Sequence, residues 1–442
     1  MRVLRVLRVL CVWRCTLSWL IWTCLVILAL WIALGSLPAG ADAHMPLPYM
    51  IALIPLMWVP AAALAILAAV MRNWPALAVA LALLLAARLR HLRYWLHPLQ
   101  KHDGSSTAIP PVKSASATVT TMTLNCRYGR ADASDIVAKV RDHHVDVLAL
   151  QEMTDDLVKR LEQAGLQQLL PYRQLGESHE RTDNGGFNGI WSAIRPVAST
   201  HSIIDIPAAD VPAITLEITD RLFMQRSADG SRGDTASTTT GSDATIIARS
   251  AAGGGDTAGM RTMRLTFASV HTKSPMRGCR EWSAGIRGLG GLIAMSRNDY
   301  ARYGSIIAMG DLNATIDHPS WRELLREGFQ DTTLQLAHGH TNTFARWLPW
   351  PRLELDHVMI AAPTTSAPRV TRHATVSQPQ TSQSTTSRSE ALGPEAPRPE
   401  APHSAAPAET DPATQTQPVA ARTTSVVIND SDHLALIATL RI

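Results

Sequence analysis

Polar side chains recur along this 442-residue sequence where short apolar runs end. The runs have the length and the β-branched or leucine-rich composition of buried strands. The residues that follow them are Asn125 after TMTL, Glu152 after VLALQ, His271 after LTFASV, Asp311 and Asn313 after IIAMG, Asp356 after LEL, and Asp432 with His433 after VVIN. We expect these side chains to form one rigid rim along the edges of the sheets.

The types of these residues indicate their chemistry. Carboxylates and amides without a thiolate suit a hard divalent cation such as Mg²⁺ or Mn²⁺. Two histidines, each open to orientation by a carboxylate, suit proton transfer to and from water. Together they predict metal-assisted hydrolysis of a phosphoester, in which a metal stabilises charge, a base activates water and an acid protonates the leaving oxygen.

Each position alone also has an ordinary structural explanation. GDLN at residues 310–313 is a common turn sequence, Glu152 would cap a following helix, and His271 would be satisfied inside a core. Six such coincidences in one chain favour the functional interpretation.

The elements that must position these residues alternate between β-type and helical patterns. The predicted strands are TVTTMTLN, VDVLALQE, FNGIWSAI, RLTFASVHT, SIIAMGDLN, LELDHVMIA and the terminal SVVINDSDHLALIATL; the predicted helices are SDIVAKVRDH, capped by Ser134 or Asp135, and residues 279–298 and 319–326. Strands outnumber helices and recur through the chain. We therefore predict an α/β fold, a four-layer sandwich of two packed mixed β-sheets flanked by helices.

The end of the chain, VVINDSDHLALIATLRI, is predicted as ordered although a Ser-, Thr- and Pro-rich tract precedes it. Polar groups inside a strand are costly unless they are paired. The cluster from Asp430 to His433 therefore needs a chemical role, and the last strand is expected to return His433 to the sheet.

The domain prediction has three parts. Residues 1–97 form a transmembrane region, 98–116 a polar linker, and 117–442 a catalytic domain with disordered insertions at 225–260 and 363–424. The insertions are rich in Gly, Ser, Thr, Pro and Ala, so they bury too little apolar surface to offset chain entropy.

Three N-terminal segments, at about 16–35, 47–71 and 74–90, are apolar enough to span a bilayer, which takes about 20 residues. The third is short and would rely on Arg88 and Arg90 reaching towards the headgroups. The interpretation as a buried soluble helix is weak for the first two segments and stronger for the third.

The side of the membrane is open from the sequence. Basic residues at 2, 5, 8 and 14 place the N-terminus in the cytoplasm, so three spans would put the catalytic domain outside the plasma membrane. Cleavage after a signal peptide at residues 1–43 would give the same outcome. Basic residues at 88, 90 and 93 oppose it, because they would lie on the outer flank of the membrane. A third segment that does not span would leave the domain cytoplasmic. We favour the extracellular arrangement.

Charge and cysteine content limit the partners. Residues 1–101 carry nine Lys or Arg and one acid, Asp42, a net charge of +8, which leaves −4 of the total +4 for residues 102–442. The acidic part disfavours stable binding of duplex DNA, because such binding depends on cations that neutralise phosphates. Five cysteines make no disulfide framework, although a Cys126–Cys279 bridge stays open.

The pieces TLNC, VDVLALQE, FNGIWSAIRPV, ASVHT, MGDLNAT, GFQDT with TNTF, LELDHVMI and SDHLALIATL occur in one characteristic order. In this order the sequence resembles the endonuclease/exonuclease/phosphatase (DNase I-like) superfamily, as a membrane-anchored bacterial-type member, from about Thr118 to Ile442. His357 stands where the superfamily frequently has an aromatic residue, and a long insertion separates Asp356 from His433.

The resemblance implies roles for the rim residues. It makes Glu152 the principal metal ligand, with Asn125 and Asp432 beside the same Mg²⁺ or Mn²⁺. Catalytic roles fall to His271, Asp311, Asn313, Asp356 and His433; substrate contacts fall to Asn188, Asn313 and His271. The resemblance implies that Asp356 orients His433, the general base or a phosphate contact.

The predicted function is a membrane-anchored, divalent-metal-dependent phosphoesterase. Its substrate would be a lipid-type phosphodiester, favoured by the anchor, or a nucleic acid. RWLPWPR at 346–352 is a rim segment that suits either substrate. The alternative is a catalytically inactive, membrane-tethered scaffold of the same fold.

Overall fold

The computed structural model describes residues 2–96, 118–178, 185–219, 262–350, 352–361 and 417–442, which belong to one compact unit. The predicted linker and the greater part of both predicted insertions lie outside these residues. The helices are α1 (Arg2–Leu34), α2 (Leu47–Ala52), α3 (Trp58–Val70), α4 (Trp74–Leu89), α5 (Ala133–Asp142), α6 (Asp155–Gln163), α7 (Leu166–Leu169), α8 (Cys279–Gly288), α9 (Gly290–Asn298), α10 (Tyr300–Tyr303), α11 (Pro319–Glu327) and α12 (Thr332–Leu336). Short 3₁₀ turns cover Ala41–Ala43, Ile54–Leu56 and Arg90–Tyr94.

Twelve strands are described: β1 (Thr118–Asn125), β2 (Val147–Met153), β3 (Tyr172–Leu175), β4 (Phe187–Ser192), β5 (Ala198–Thr200), β6 (Ala213–Thr219), β7 (Thr262–His271), β8 (Ser305–Asp311), β9 (Phe329–Asp331), β10 (Asp356–Ala361), β11 (Val419–Val427) and β12 (Leu434–Arg441). They form two six-stranded sheets, in the orders β11-β12-β1-β2-β4-β3 and β5-β6-β7-β8-β10-β9. The β1–β2 and β7–β8 pairs are parallel and their neighbours antiparallel, so both sheets are mixed.

Three apolar layers hold the sandwich together. Val119 and Ile190 of the first sheet belong to one cluster with Phe267, Ile307 and Val358 of the second sheet. Helices α5 and α6 cover the outer face of the first sheet, and α8, α9 and α11 cover that of the second. Since strands such as β8 are buried on both faces, they read as continuous apolar runs. The predicted four-layer α/β sandwich is confirmed.

The chain end differs from the prediction of a single terminal strand. It forms an antiparallel pair, with Val427 of β11 opposite Leu434 of β12. Asp430, whose φ is 62°, lies in the tight connection between them. Asn-Asp chemistry favours such turns, so the polar cluster occupies a turn and not a strand interior. Because β11 begins at Val419, the predicted insertion boundary at residue 424 was also wrong.

Smaller expectations were also corrected. Asp132, and neither Ser134 nor Asp135, caps α5, because its carboxylate accepts the N–H groups of those two residues. The helix expected over 279–298 is divided into α8 and α9 at Leu289. Cys126 and Cys279 are buried free thiols.

The N-terminal helices fulfil the length and composition requirement for membrane spans. Val12–Leu34 and Trp74–Tyr94 each suffice, and Leu47–Leu56 with Trp58–Val70, bent by 58°, make a third if they act as one span. Side chains link the start of the apolar part of α1 (Val12–Leu34) to the α3–α4 connection, because Arg14 donates to the Met71 carbonyl oxygen at 3.3 Å and Asn73 donates to Ser18 at 3.0 Å. The other end of α1 adjoins the end of α4, where Arg90 donates to Ser36 at 2.6 Å.

Polar contacts fasten this second end of the bundle to the sandwich. Buried Asp42 accepts hydrogen bonds from the backbone N–H of Ser320 at 2.9 Å and from its hydroxyl at 2.5 Å. The His318 ring lies 3.0 Å from the Pro48 carbonyl oxygen, and Arg90 lies 3.4 Å from Asp317. We call these contacts the junction. Since a buried carboxylate is stable only when it is hydrogen-bonded, Asp42 depends on the sandwich for its partners.

Candidate active site

The rim residues meet where β1, β2, β7, β8 and β10 end. The Asn125 amide of β1 donates to Asp311 of β8 at 3.0 Å, which joins the edges of the two sheets. In the parallel β7–β8 pair, His271 lies directly opposite Asp311. Asp356 lies opposite Asp311 on the other side, in the β8–β10 pair. Asp311 is therefore the centre of the cluster.

His433 and Asp356 form a buried pair, with 2.7 Å between His433 Nδ1 and Asp356 Oδ2. The other ring nitrogen, Nε2, lies 3.7 Å from Asp311 Oδ2. The hydroxyl of Ser431 accepts the His433 backbone N–H at 3.0 Å, and that of Thr343 accepts the Asp356 N–H at 3.2 Å. Hydrogen bonds to their backbone N–H groups thus fix the positions of both residues of the pair.

The electrostatics of His433 favour a charged ring. Burial lowers the pKa of His433, but the Asp356 and Asp311 carboxylates outweigh burial and raise it to about 10. Asp356 fixes the proton on Nδ1, which leaves Nε2 directed at Asp311. The pair has the arrangement in which a carboxylate orients a histidine for proton transfer.

His271 has the opposite tendency. Burial lowers its pKa, and the Asp311 carboxylate only partly counteracts the effect. Its Nε2 atom lies 3.7 Å from Asp311 and 3.8 Å from Glu152. Two neighbouring histidines whose pKa values are displaced in opposite directions can divide acid and base roles between them.

Asp311 and Asn313 form one local unit. The Asn313 backbone N–H donates to Asp311 Oδ1 at 2.8 Å, and its side-chain amide donates to the Thr272 carbonyl oxygen at 3.3 Å. Asn313 has a φ of 50°, in the left-handed region that asparagine tolerates better than most residues. Burial raises the pKa of Asp311. The turn thus presents an amide beside a buried carboxyl group.

The Asn125 side chain and the Asp432 charge both act on the Glu152 carboxylate, and Asn125 Oδ1 accepts the Arg127 N–H at 2.8 Å. Burial raises the pKa of Glu152, while the Asn125 side chain and the Tyr128 N–H, at 3.0 Å, stabilise its charge. Glu152 has a φ of 51°, and such backbone strain costs about 1–3 kcal/mol unless its surroundings enforce it. Asp432 Oδ2 lies 3.7 Å from Arg127.

This donor set fits a hard divalent cation. It contains two carboxylates and an amide, the ligands that Mg²⁺ and Mn²⁺ prefer, and no sulfur. Asp311, Asp356 and His433 also place one ligand atom each within 4.8 Å of one another. In the group of Asp311, Asp356 and His433, the Nδ1 atom of His433 already directs its proton at Asp356. The Glu152 side of the rim therefore fits a cation better.

Asn188, predicted to contact substrate, uses one end of its side-chain amide within the fold. It lies on β4 beside the β2 bulge that precedes Met153. Its side-chain N–H donates to the Asp210 carbonyl oxygen at 2.7 Å, and its Oδ1 atom is buried without a hydrogen-bond partner among the described residues.

Several side chains at the site were not predicted. The Arg277 guanidinium donates to the Tyr128 hydroxyl at 2.7 Å and lies 5.4 Å from the centre of its ring. The Phe344 ring lies 4.9 Å from the His433 ring. Arg127 and Tyr128 come directly after the strand that ends at Asn125, so their place near the site could have been predicted from the sequence NCRY. Arg277 and Phe344 are distant from the rim residues in the sequence, and only the tertiary fold brings them to the site.

A second buried cluster lies on the other side of β10. His357 bonds Asp331 at 3.0 Å through Nδ1 and the Ala314 carbonyl oxygen at 3.0 Å through Nε2. Burial lowers the pKa of His357, but the Asp331 carboxylate outweighs burial and raises it to about 9. This histidine, where an aromatic residue was expected, is thus a paired core residue.

Comparison with known proteins gives one family. The sequence model of the Endonuclease/Exonuclease/phosphatase family matches residues 122–377, more than half of the chain. No curated protein matches this chain.

Solved structures of similar fold include a humanized D. rerio TDP2 carrying 14 mutations (13% identity, 74% of this chain and 99% of that chain, TM-score 0.41). The human Nocturnin catalytic domain with bound sulfate anion is another (13% identity, 73% and 94%, TM-score 0.40). A third is an endonuclease/exonuclease/phosphatase family protein from Leptotrichia buccalis (11% identity, 73% and 100%, TM-score 0.40).

Proposed function

This chain belongs to the endonuclease/exonuclease/phosphatase family, and on that premise we propose that it is a divalent-metal-dependent phosphoesterase that hydrolyses phosphodiesters. The observation that carries the proposal is the convergence of His433, Asp356, Asp311 and His271 at one rim, with 2.7 Å between the first two. Hydrolysis of a phosphomonoester is the alternative reaction at the same site.

The proposed roles follow from the contacts. Asp356 holds the His433 ring so that Nε2 faces the reacting phosphate, where it exchanges a proton or binds a phosphoryl oxygen. Asp311 and Asn313 position the attacking water and the phosphate. His271 contacts the phosphate; because its lowered pKa favours the neutral ring, the charged His433 ring is the better proton donor for the leaving oxygen. Asn188 stays a candidate for substrate contact through Oδ1 alone, because its N–H is committed to Asp210.

We assign Glu152, Asn125 and Asp432 to the metal, Mg²⁺ or Mn²⁺. A cation held there supplies stabilisation of the negative charge that develops on phosphate oxygens. The chain's own contribution is to fix these oxygens, through the Tyr128 N–H to Glu152 and the Arg127 contact with Asp432.

We propose a multi-pass arrangement in the plasma membrane with the catalytic domain outside. Three spans put the start of α1 and the α3–α4 connection on one side, and the junction with the sandwich on the other. Of the three basic residues that opposed this arrangement, Arg90 is paired with Asp317 in the junction. The positive-inside rule then depends on the N-terminal arginines.

The substrate is a lipid-type phosphodiester or a nucleic acid, and stable duplex DNA binding is not expected from the acidic net charge of residues 102–442. The test is a panel assay of the full chain in detergent, with bis(p-nitrophenyl) phosphate, single-stranded DNA and sphingomyelin. We expect turnover with Mg²⁺ or Mn²⁺ and none with chelator. Folded protein that cleaves nothing with any divalent metal would instead support the scaffold alternative.

A further inference from the structure

An exposed aromatic segment borders the active site. We call Phe344–Trp350 the aromatic loop. Trp347 is 63% exposed and Trp350 is 59% exposed, and Leu348 between them is also exposed. Large apolar side chains grouped on a surface mark a site that meets a partner or a membrane.

The aromatic loop adjoins the membrane-facing helices. The Trp350 ring lies 6.4 Å from that of Trp58, the first residue of α3. The Arg88 guanidinium, in the last turn of α4, lies 4.9 Å from the centre of the Trp58 ring. An arginine at the end of an apolar span resides at the headgroup level, where tryptophan is also enriched. The aromatic loop therefore reaches the depth of the bilayer surface.

The same loop also contacts His433 and the two residues that precede it. The Phe344 ring contacts the His433 ring at 4.9 Å and the Trp347 ring at 5.7 Å. The Arg346 backbone N–H donates to the Asp432 carbonyl oxygen at 2.9 Å, and its guanidinium donates to the Ser431 carbonyl oxygen at 3.2 Å. The Phe344 ring alone thus lies between the His433 and Trp347 rings. Each of the two ring-to-ring distances is comparable with the thickness of the headgroup layer, roughly 5–8 Å on each side.

The junction holds the catalytic domain at this height. Asp42, Ser320 and Arg90 with Asp317 connect the bundle to the sandwich through buried or half-buried hydrogen bonds. Because these contacts are directional, the domain cannot swing away from its own bilayer without breaking them. The rim stays at the surface of the membrane that contains the helices.

We infer that the substrate is a phosphodiester lipid of the membrane that holds the chain, taken from the leaflet that faces the catalytic domain. This inference rests on the proposed function. The aromatic loop sits among the headgroups and delivers the lipid phosphate to His433. The water oxygen bonds to phosphorus, one P–O ester bond breaks, and the leaving oxygen takes a proton. The products are a phosphomonoester and an alcohol.

The experiment uses the full chain reconstituted in vesicles of a phosphate-free galactolipid. In one arm, phosphatidylglycerol or sphingomyelin is included in the same vesicles as the protein; in the other, it is supplied in separate vesicles. We expect turnover in the first arm to exceed that in the second by about tenfold or more. Equal rates in the two arms would overturn the same-membrane inference.

Trp347→Ala/Trp350→Ala is the matched variant. We expect the ratio of lipid turnover to bis(p-nitrophenyl) phosphate turnover to fall about tenfold. Val197→Ala, which truncates an exposed apolar side chain before β5, should keep the wild-type ratio. An unchanged ratio in the tryptophan variant would mean that the aromatic loop does not deliver the lipid to the site.

The soluble ester separates the two levels of the proposal. Turnover of bis(p-nitrophenyl) phosphate or single-stranded DNA without turnover of either lipid would overturn the lipid inference and leave the phosphoesterase in place. Absence of turnover with every substrate, by folded protein with Mg²⁺ or Mn²⁺, would overturn both.

Discussion

The Nδ1 atom of His433 lies 2.7 Å from Asp356 Oδ2, although 77 positions separate the two residues in the sequence. Strand β10 carries the aspartate in one sheet, and the β11–β12 turn of the other sheet carries the histidine. The long intervening segment is compatible with this pair, because the entropy of closing a loop grows slowly with its length.

Asp356→Asn should lower kcat/KM for bis(p-nitrophenyl) phosphate by about 10²–10⁴-fold, the usual contribution of positioned proton transfer. The amide leaves the His433 ring without the carboxylate that orients it and raises its pKa. The assay is a steady-state measurement on variant protein whose folding is verified by circular dichroism.

Asp331→Asn is the matched control, because Asp331 forms an equally buried aspartate–histidine pair, with His357, away from the rim. We expect it to reduce stability but to keep the wild-type kcat/KM per folded molecule. A similar loss of activity in both variants would mean that Asp356 acts only through the fold.

Glu152→Gln should raise the Mg²⁺ concentration that gives half-maximal activity by about tenfold or more, since even the loss of a group behind a metal ligand has an effect of this size. Chelator should abolish turnover, and added Mg²⁺ or Mn²⁺ should restore it. An independent readout is thermal stabilisation by the metal, which follows its binding constant. An unshifted metal titration would place the cation elsewhere.

Stability should fall as the pH rises from about 6.5 to about 9. His357 has a folded pKa of about 9, above the usual 6.5 of an unfolded histidine. Its contribution is fully present below pH 6.5 and is lost as the pH rises through 9, and it amounts to about 3 kcal/mol. Denaturant unfolding at several pH values measures the slope; Asp331→Asn should remove the His357 part of it and leave the part that comes from His433, whose folded pKa is about 10.

The N-terminus and the catalytic domain should lie on opposite sides of the membrane. Intact cells that express Ser199→Cys should react with a membrane-impermeant maleimide, and cells that express Arg5→Cys should react only after permeabilisation. Both variants are made in a chain whose Cys11, Cys15 and Cys24 are replaced by Ser, because Cys15 is exposed; Cys126 and Cys279 are buried, so they should add little background. Labelling of Arg5→Cys alone in intact cells would reverse the proposed orientation.

Long buried strands were predictable from the sequence because both of their faces are apolar. β8 and β2 therefore stood out, and the polar residues at their ends marked the rim. The β11–β12 turn was not predicted, since its short polar segment interrupts what reads as one strand. The Asp42–Ser320 and Phe344–His433 contacts were also missed, because only the tertiary fold brings these residues together.

The most direct test of the account is the Mg²⁺-dependent hydrolysis of bis(p-nitrophenyl) phosphate by the full chain beside His433→Ala. We expect turnover that chelator removes and that the variant lowers by about 10²–10⁴-fold while it stays folded. Equal turnover by the two proteins would contradict the assigned active site, and no turnover by folded wild-type protein with any divalent metal would contradict the phosphoesterase itself.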